Sequence, residues 1–160
     1  IDQHIEDDYL ITYECAAVWG GLIAQELQPI FLGRIPDEWQ PLVELQRDLY
    51  ELGLTIMKPG VPIADLIEAI NGQGATRGMK SLILMHGRGY GDDGPLLTPQ
   101  DTRAEHFRDV LLEAGNAFVW KPIAYTADGA MQYSWGGCVA VTETGAEPLV
   151  RRHPAAVSVG

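Results

Sequence analysis

Residues 79–97 read MKSLILMHGRGYGDDGPLL, and this stretch holds the densest set of chemically active side chains in the sequence. The apolar run from Leu82 to Met85 predicts a short buried strand. His86 follows it directly and is followed by glycines at alternate positions, which would let a ligand approach the backbone closely. The same turn carries three charged side chains, Arg88, Asp92 and Asp93. Two interpretations stay open: a functional imidazole at a sheet edge, or a polar loop whose histidine bonds a backbone carbonyl.

The composition predicts a globular domain and excludes several classes of partner. The 160 residues are 46% hydrophobic, which suits one domain with a buried core. The net charge of −11 argues against nucleic-acid binding, because that function needs a cationic surface. No apolar run reaches the roughly 18 residues of a membrane span, so we expect no membrane partner. The two cysteines form neither a disulfide framework nor a zinc motif, and reduced thiols favour a cytoplasmic protein.

The order of apolar patterns predicts an α+β fold, because strands and helices are segregated and hairpins dominate. Two strands flank the turn signal at Trp19-Gly20-Gly21, with the second at 22–27. Helices are expected at 37–56, where Asp37 could cap, at 62–70, and more weakly at 101–112. Later strands are expected at 117–125, interrupted by Pro122, at 132–142, bent at Gly136-Gly137, and at 147–152.

Four stretches together carry a family resemblance: residues 21–33 (GLIAQELQPIFLG), 54–61 (LTIMKPGV), 86–95 (HGRGYGDDGP) and 138–147 (CVAVTETGAE). In this order and spacing the sequence resembles the creatinase, aminopeptidase P and methionine aminopeptidase family, which has the "pita-bread" fold. The resemblance implies a curved, mostly antiparallel sheet with helices on its outer face. It covers only the C-terminal part of that catalytic domain. We therefore interpret residues 1–153 as that part, 154–160 as a loose tail, and the whole as a fragment of a longer protein.

The resemblance also implies where a metal site would stand. The family holds two divalent metals with two aspartates, a histidine and two glutamates, and the corresponding positions here are Glu14, Gln25, His86, Lys121 and Gly136. The eleven-residue spacing of the first pair is kept, but only Glu14 and His86 keep a ligating side chain. A lysine cation at such a position repels a metal, since even two unit charges of like sign cost about 4 kcal/mol at 4 Å and an effective dielectric near 20. We therefore expect neither a bound metal pair nor another cofactor.

Three functions remain open at this stage. The first is a creatinase-like hydrolase of C–N bonds with His86, Glu14 and Lys121 as catalytic residues, in which His86 is the general acid and base. Its candidate substrate-binding residues are Arg88, Asp92, Asp93 and Gln25. The second is a non-catalytic module that binds a peptide or a small acid, and the third is a member of the family's lyase branch. For the first, the alternative structural interpretation is that Lys121 and Glu14 merely form an ion pair.

An isolated half of the domain would expose apolar surface, so we expect a homo-oligomer or association with the other half.

Overall fold

The computed structural model describes residue 4, residue 6 and residues 9–89, 94–98, 103–150 and 156–160. The candidate substrate residues Asp92 and Asp93 lie outside these described residues. Two α-helices occur in the described part, α1 (Gln40–Ile56) and α2 (Ile63–Gln73). Short 3-10 helices occupy Asp37–Trp39, Gly74–Arg77 and Ala104–Phe107. The strands are β1 (Leu10–Ile11), β2 (Glu14–Trp19), β3 (Leu22–Leu27), β4 (Ile30–Leu32), β5 (Lys80–Leu82), β6 (Met85–Gly87), β7 (Leu96–Leu97), β8 (Ala117–Trp120), β9 (Ile123–Tyr125), β10 (Gln132–Ser134), β11 (Gly136–Val141), β12 (Ala146–Pro148) and β13 (Val157–Val159).

The strands form one large sheet and two small ones within the described residues. The large sheet has the order β2-β3-β11-β8-β6-β7, and β12 pairs with β11 beside this path. All of its pairings are antiparallel. The small sheets have the orders β1-β4-β13 and β10-β9-β5. The α+β prediction is therefore confirmed, with hairpins as the main connection.

Both helices bury an apolar stripe against the strands. Helix α1 buries residues at three- and four-residue spacing, including Leu42, Leu45 and Leu49, and α2 does the same with Leu66, Ile67 and Ile70. Full burial of each such side chain contributes about 1.5–3 kcal/mol to folding. Helix α1 and β8 are in very close contact, because a Cβ on Gly53 would lie 2.2 Å from the Trp120 ring. The helices therefore cover the face of the sheet to which Trp120 points.

Several predicted elements are correct and others need correction. The hairpin of β2 and β3 is confirmed, and its turn uses Gly20 and Gly21 at φ +58° and +86°. The strand predicted from Leu82 to Met85 is wrong as one unit: β5 ends at Leu82 and β6 begins at Met85, and the two strands belong to different sheets. Between them the chain crosses from one sheet to the other, and the Ile83 N–H donates to the Asn71 side chain at 2.9 Å.

The helix boundaries also differ from prediction. Residues 37–39 form a 3-10 turn without a side-chain cap, because Pro36 occupies the N-cap position and Asp37 lies inside the turn, where it accepts a hydrogen bond from Arg34 (3.1 Å). Helix α2 continues through Asn71-Gly72 to Gln73. Of the described residues within 101–112, only Ala104–Phe107 are helical. The described part of the closing strand is shorter than predicted. The prediction of a loose tail is wrong for Val157–Val159, which pair in parallel with β4 because the edge of β4 opposite β1 provides them with backbone partners.

No helix among the described residues is long and apolar enough to cross a membrane.

Candidate functional site

The site residues lie on the face of the large sheet that points away from the helices. Cys138, Val119 and His86 are direct cross-strand neighbours on β11, β8 and β6. The next residue of β8, Trp120, packs on α1, and its indole Nε1 donates to the Tyr50 carbonyl at 3.2 Å. Because successive side chains of a strand point to opposite faces, the row containing His86 points the other way. The sheet thus places this imidazole on the face opposite the helices.

Lys121 and Glu14 form an ion pair on this face. The lysine side chain is 6% exposed and the glutamate side chain 44% exposed, so the carboxylate is the member of the pair that reaches water. The backbone of Lys121 is fixed on both sides: its N–H donates to the Leu84 carbonyl (3.0 Å), and its carbonyl accepts from the Ser134 hydroxyl (3.0 Å). The sheet therefore holds the ammonium at one place beside the His86 row.

Gln25 and Arg88 form a second polar pair. The Arg88 Nη2 donates to the Gln25 side-chain oxygen at 2.5 Å, and Gln25 is buried. The Arg88 N–H donates to the Ala117 carbonyl at 3.3 Å, which extends the ladder between β6 and β8. Of the candidate substrate residues that the structure describes, these two thus lie together. They connect the hairpin to the turn after β6.

His86 is 8% exposed, and its Nδ1 lies 3.2 Å from the Gly87 carbonyl oxygen. A carbonyl oxygen only accepts hydrogen bonds, so Nδ1 carries the proton in the neutral ring and Nε2 carries the lone pair. This contact is the one expected from the polar-loop interpretation. The contact is also compatible with a general base, because it identifies Nε2 as the nitrogen that would accept a proton.

Gly136 has a backbone conformation that excludes a side chain. Its φ is +154°, and a Cβ there would lie 1.9 Å from the Trp120 carbonyl oxygen. Within the ranges that the structure describes, no group of three or more histidine, cysteine, aspartate or glutamate side chains is arranged to hold a metal ion. Glu14, the carboxylate among the described candidate residues, is engaged by Lys121.

Cys138 contacts the site residues, although it is not among the site residues predicted from the sequence. Cys138 contacts Gln25 through its thiol, which accepts from the Gln25 N–H at 3.3 Å. The sequence shows only that Cys138 stands two residues after Gly136. Nothing in the sequence indicates that the Cys138 thiol, rather than a backbone carbonyl of β11, accepts the hydrogen bond from the Gln25 N–H of β3. The neighbouring residues Leu149 and Val150 likewise reach this region from beyond β12.

The described residues thus form an α+β domain with two helices on one face of an antiparallel sheet and a cluster of ionisable side chains on the other. The chain belongs to metallopeptidase family M24, whose family model matches residues 1–144. It is 23% identical to methionine aminopeptidase 1A of Arabidopsis thaliana, over 98% of this chain and 44% of that protein. It is 21% identical to a methionine aminopeptidase of Chlamydia pneumoniae, over 92% of this chain and 56% of that protein. The chain thus spans about half the length of these relatives.

Solved structures show the same fold. The chain superimposes on an X-Pro aminopeptidase of Thermotoga maritima with a TM-score of 0.84 and 21% identity, over 99% of this chain and 44% of that one. It superimposes on the dipeptidase PepE of Mycobacterium ulcerans with a TM-score of 0.82 and 18% identity, over 99% and 42% of the two chains. The prediction of the pita-bread fold is confirmed.

Proposed function

We propose that this chain carries a site for hydrolysis of a C–N bond of peptide type that works without a divalent metal pair. The single observation that supports this most is the ion pair of Lys121 and Glu14 beside the row of His86. It supplies a positive charge at a position where the family resemblance implies a metal ligand. The relatives' names supply the substrate class, since they are aminopeptidases and dipeptidases.

The donor set does not fit a pair of divalent cations. Such a pair needs several carboxylate oxygens to offset about four positive charges. The five implied positions offer one carboxylate, one imidazole, a neutral amide, an ammonium and a glycine. A glutamate at position 136 is blocked by the Trp120 carbonyl oxygen, which lies 1.9 Å from the Cβ position.

The proposed chemistry uses the chain's own residues. His86 takes a proton from a water molecule as its oxygen bonds to the carbonyl carbon of the substrate, and the Lys121 ammonium stabilises the oxyanion that develops. The C–N bond then breaks as the same proton passes from His86 to the departing nitrogen. One water is consumed, and a carboxylate and a protonated amine are formed, because the proton of the new acid passes to the amine. Glu14 keeps the Lys121 side chain oriented through their ion pair.

The test is cleavage of Xaa-Pro and other dipeptides by the intact protein after dialysis against EDTA, with and without added Mn²⁺, Co²⁺ or Zn²⁺. We expect cleavage that resists EDTA and is lost in His86→Asn and Lys121→Met. His106→Asn is the matched control, because His106 lies in the exposed segment at Ala104–Phe107 and outside the site. Cleavage that appears only with added metal would contradict the proposal.

A second candidate function is a binding module for a peptide or a small acid. The observation in its favour is that the described polar groups engage one another: Lys121 with Glu14, Arg88 with Gln25, and His86 with its neighbouring carbonyl. Such a site can hold a ligand without activating water. Thermal stabilisation by dipeptides without any turnover, with or without metal, would favour this candidate.

A further inference from the structure

The large sheet divides at Cys138. Strand β11 pairs with β3 through Gly136 and Gly137 and then with β12 from Val139 onward. At the point of division the Cys138 carbonyl accepts from the Leu149 N–H at 2.9 Å. The Gln25 N–H donates instead to the Cys138 thiol at 3.3 Å. Strand β3 therefore leaves the plane of β11 here, and a space opens between them.

This space is a cavity of about 370 Å³. Two of its lining residues are joined by a backbone hydrogen bond, from the Ile23 N–H of β3 to the Gly89 carbonyl at 2.9 Å. Its walls are mainly apolar and come from the hairpin, from β8 and from the segment after β12, with Leu22, Ile23, Ala24, Ala117, Leu149 and Val150 as the principal lining residues. Ligand pockets in proteins have volumes of roughly 300–1,000 Å³ and such apolar walls with a few polar groups.

The charged groups in the wall give the cavity a polarity. Arg88 lines it and is held in place by Gln25 through the 2.5 Å bond. Glu26 also lines it, but it follows Gln25 on β3 and so points to the opposite face of that strand. A bound carboxylate is repelled at the Glu26 side and attracted at the Arg88 side. Guanidinium groups bind carboxylates strongly through paired hydrogen bonds.

We propose that this cavity binds a small aliphatic carboxylate, with the carboxylate at Arg88 and the alkyl group between Ile23, Ala117 and Leu149. The inference rests on the proposed function, because Arg88 and Gln25 belong to the proposed substrate site, and it specifies the substrate class of that site. The ligand is either a free acid or the terminal carboxylate of a short peptide with an aliphatic last residue. Both present the same chemistry to the cavity.

The test is calorimetric titration of the intact protein with isocaproate, with its neutral analogue isocaproamide, and with the dipeptide glycyl-leucine. We expect the acid to bind at least tenfold more tightly than the amide. Arg88→Met should remove that preference, and Ala117→Leu should weaken binding of every probe at least tenfold by filling the cavity. Ile23→Phe, on a different strand, makes the same test if Ala117→Leu does not fold. Lys58→Met is the control, since Lys58 is an exposed cation outside the cavity.

Each outcome decides a separate question. Binding of isocaproate alone identifies a free acid as the ligand, and binding of glycyl-leucine alone identifies a peptide terminus. Equal binding of acid and amide, no binding of any probe, or an acid preference that survives Arg88→Met would overturn the inference. Isocaproate has no C–N bond, so its binding does not depend on turnover. Isocaproate binding without peptide cleavage would overturn only the hydrolase, and cleavage without binding of any probe only the cavity.

Discussion

At the scale of single residues, the pair of Lys121 and Glu14 is asymmetric in its exposure. The ammonium is buried, whereas the carboxylate side chain is 44% exposed. Removing the partner of a buried charge leaves that charge unsolvated, which typically costs roughly 3–5 kcal/mol. Removing the buried charge itself leaves a carboxylate that water can solvate. The two halves of one ion pair should therefore differ greatly in their effect on stability.

We predict that Glu14→Gln lowers the free energy of unfolding by about 2–3 kcal/mol, with the partial exposure of the site reducing the cost below the fully buried range. Lys121→Met, which keeps the length and apolar stem, should stay within about 1 kcal/mol of the wild type. Urea unfolding of both variants measures this, with Lys58→Met as the exposed control. A larger loss for Lys121→Met than for Glu14→Gln would contradict the asymmetry.

Gly136 gives a second residue-scale prediction, with Gly72 as its matched control. Gly136→Ala forces a Cβ to within 1.9 Å of the Trp120 carbonyl oxygen and should cost at least about 2 kcal/mol of unfolding free energy. Gly72 lies within α2 with open space around its Cβ position, so Gly72→Ala should stabilise by about 0.5–1 kcal/mol. Thermal or urea unfolding distinguishes them, and equal effects of the two changes would refute the steric argument.

At the scale of elements, the hairpin of β2 and β3 has few attachments to the rest of the sheet. All six residues of β2 are exposed, and β3 pairs with β11 through only two residues in the described ladder. Its other described attachments are the Lys121–Glu14 pair and a few hydrogen bonds to Cys138, Arg88 and Gly89. Helix α1 and β8 are packed in the core by comparison. The hairpin should therefore open while the core stays folded.

Hydrogen exchange tests this separation. Ile67→Val removes one buried methylene in α2 and should raise the exchange of protected amides in α1 and β8 about fivefold, for a loss near 1 kcal/mol. Amides within the hairpin should be unaffected, because α2 remains folded when the hairpin opens. Glu14→Gln should raise exchange in both regions. If Ile67→Val accelerated the hairpin amides as much as those of β8, the hairpin would belong to the global unfolding unit.

The elements also show what the sequence could and could not predict. The hairpin, α1 and the break at Pro122 follow from local signals: paired glycines, a three- and four-residue apolar stripe, and a residue that cannot donate to a ladder. The crossing at Ile83-Leu84 and the division at Cys138 depend on which distant strand provides a partner. Neither choice is encoded by nearby residues. The cavity that results from the division was therefore outside the reach of pattern analysis.

At the scale of the whole molecule, two core tyrosines couple folding to alkaline pH. Burial raises the pKa of Tyr50 from 10.0 to about 12, and the charges of Cys138 and Glu26 add to this rise. Burial alone raises the pKa of Tyr133 to about 12. Neither hydroxyl has a hydrogen-bond partner within the described part of the chain. Each native phenol thus holds its proton more tightly than the unfolded chain does.

Because both pKa values are raised in the native state, we predict that the contribution of the two tyrosines to the free energy of unfolding is fully present below about pH 10. It is lost as the pH rises towards 12. Two pKa units correspond to about 2.7 kcal/mol for each phenol. Tyr50→Phe should leave stability near neutral pH unchanged or slightly higher, because it removes a hydroxyl without a described partner, and it should flatten the alkaline loss by about half. Urea unfolding between pH 7 and pH 11.5 measures both effects. Tyr13→Phe, at a side chain that is 39% exposed, is the control and should follow the wild-type curve. A wild-type stability that stays level across this pH range would show that the phenols titrate as they do in the unfolded chain.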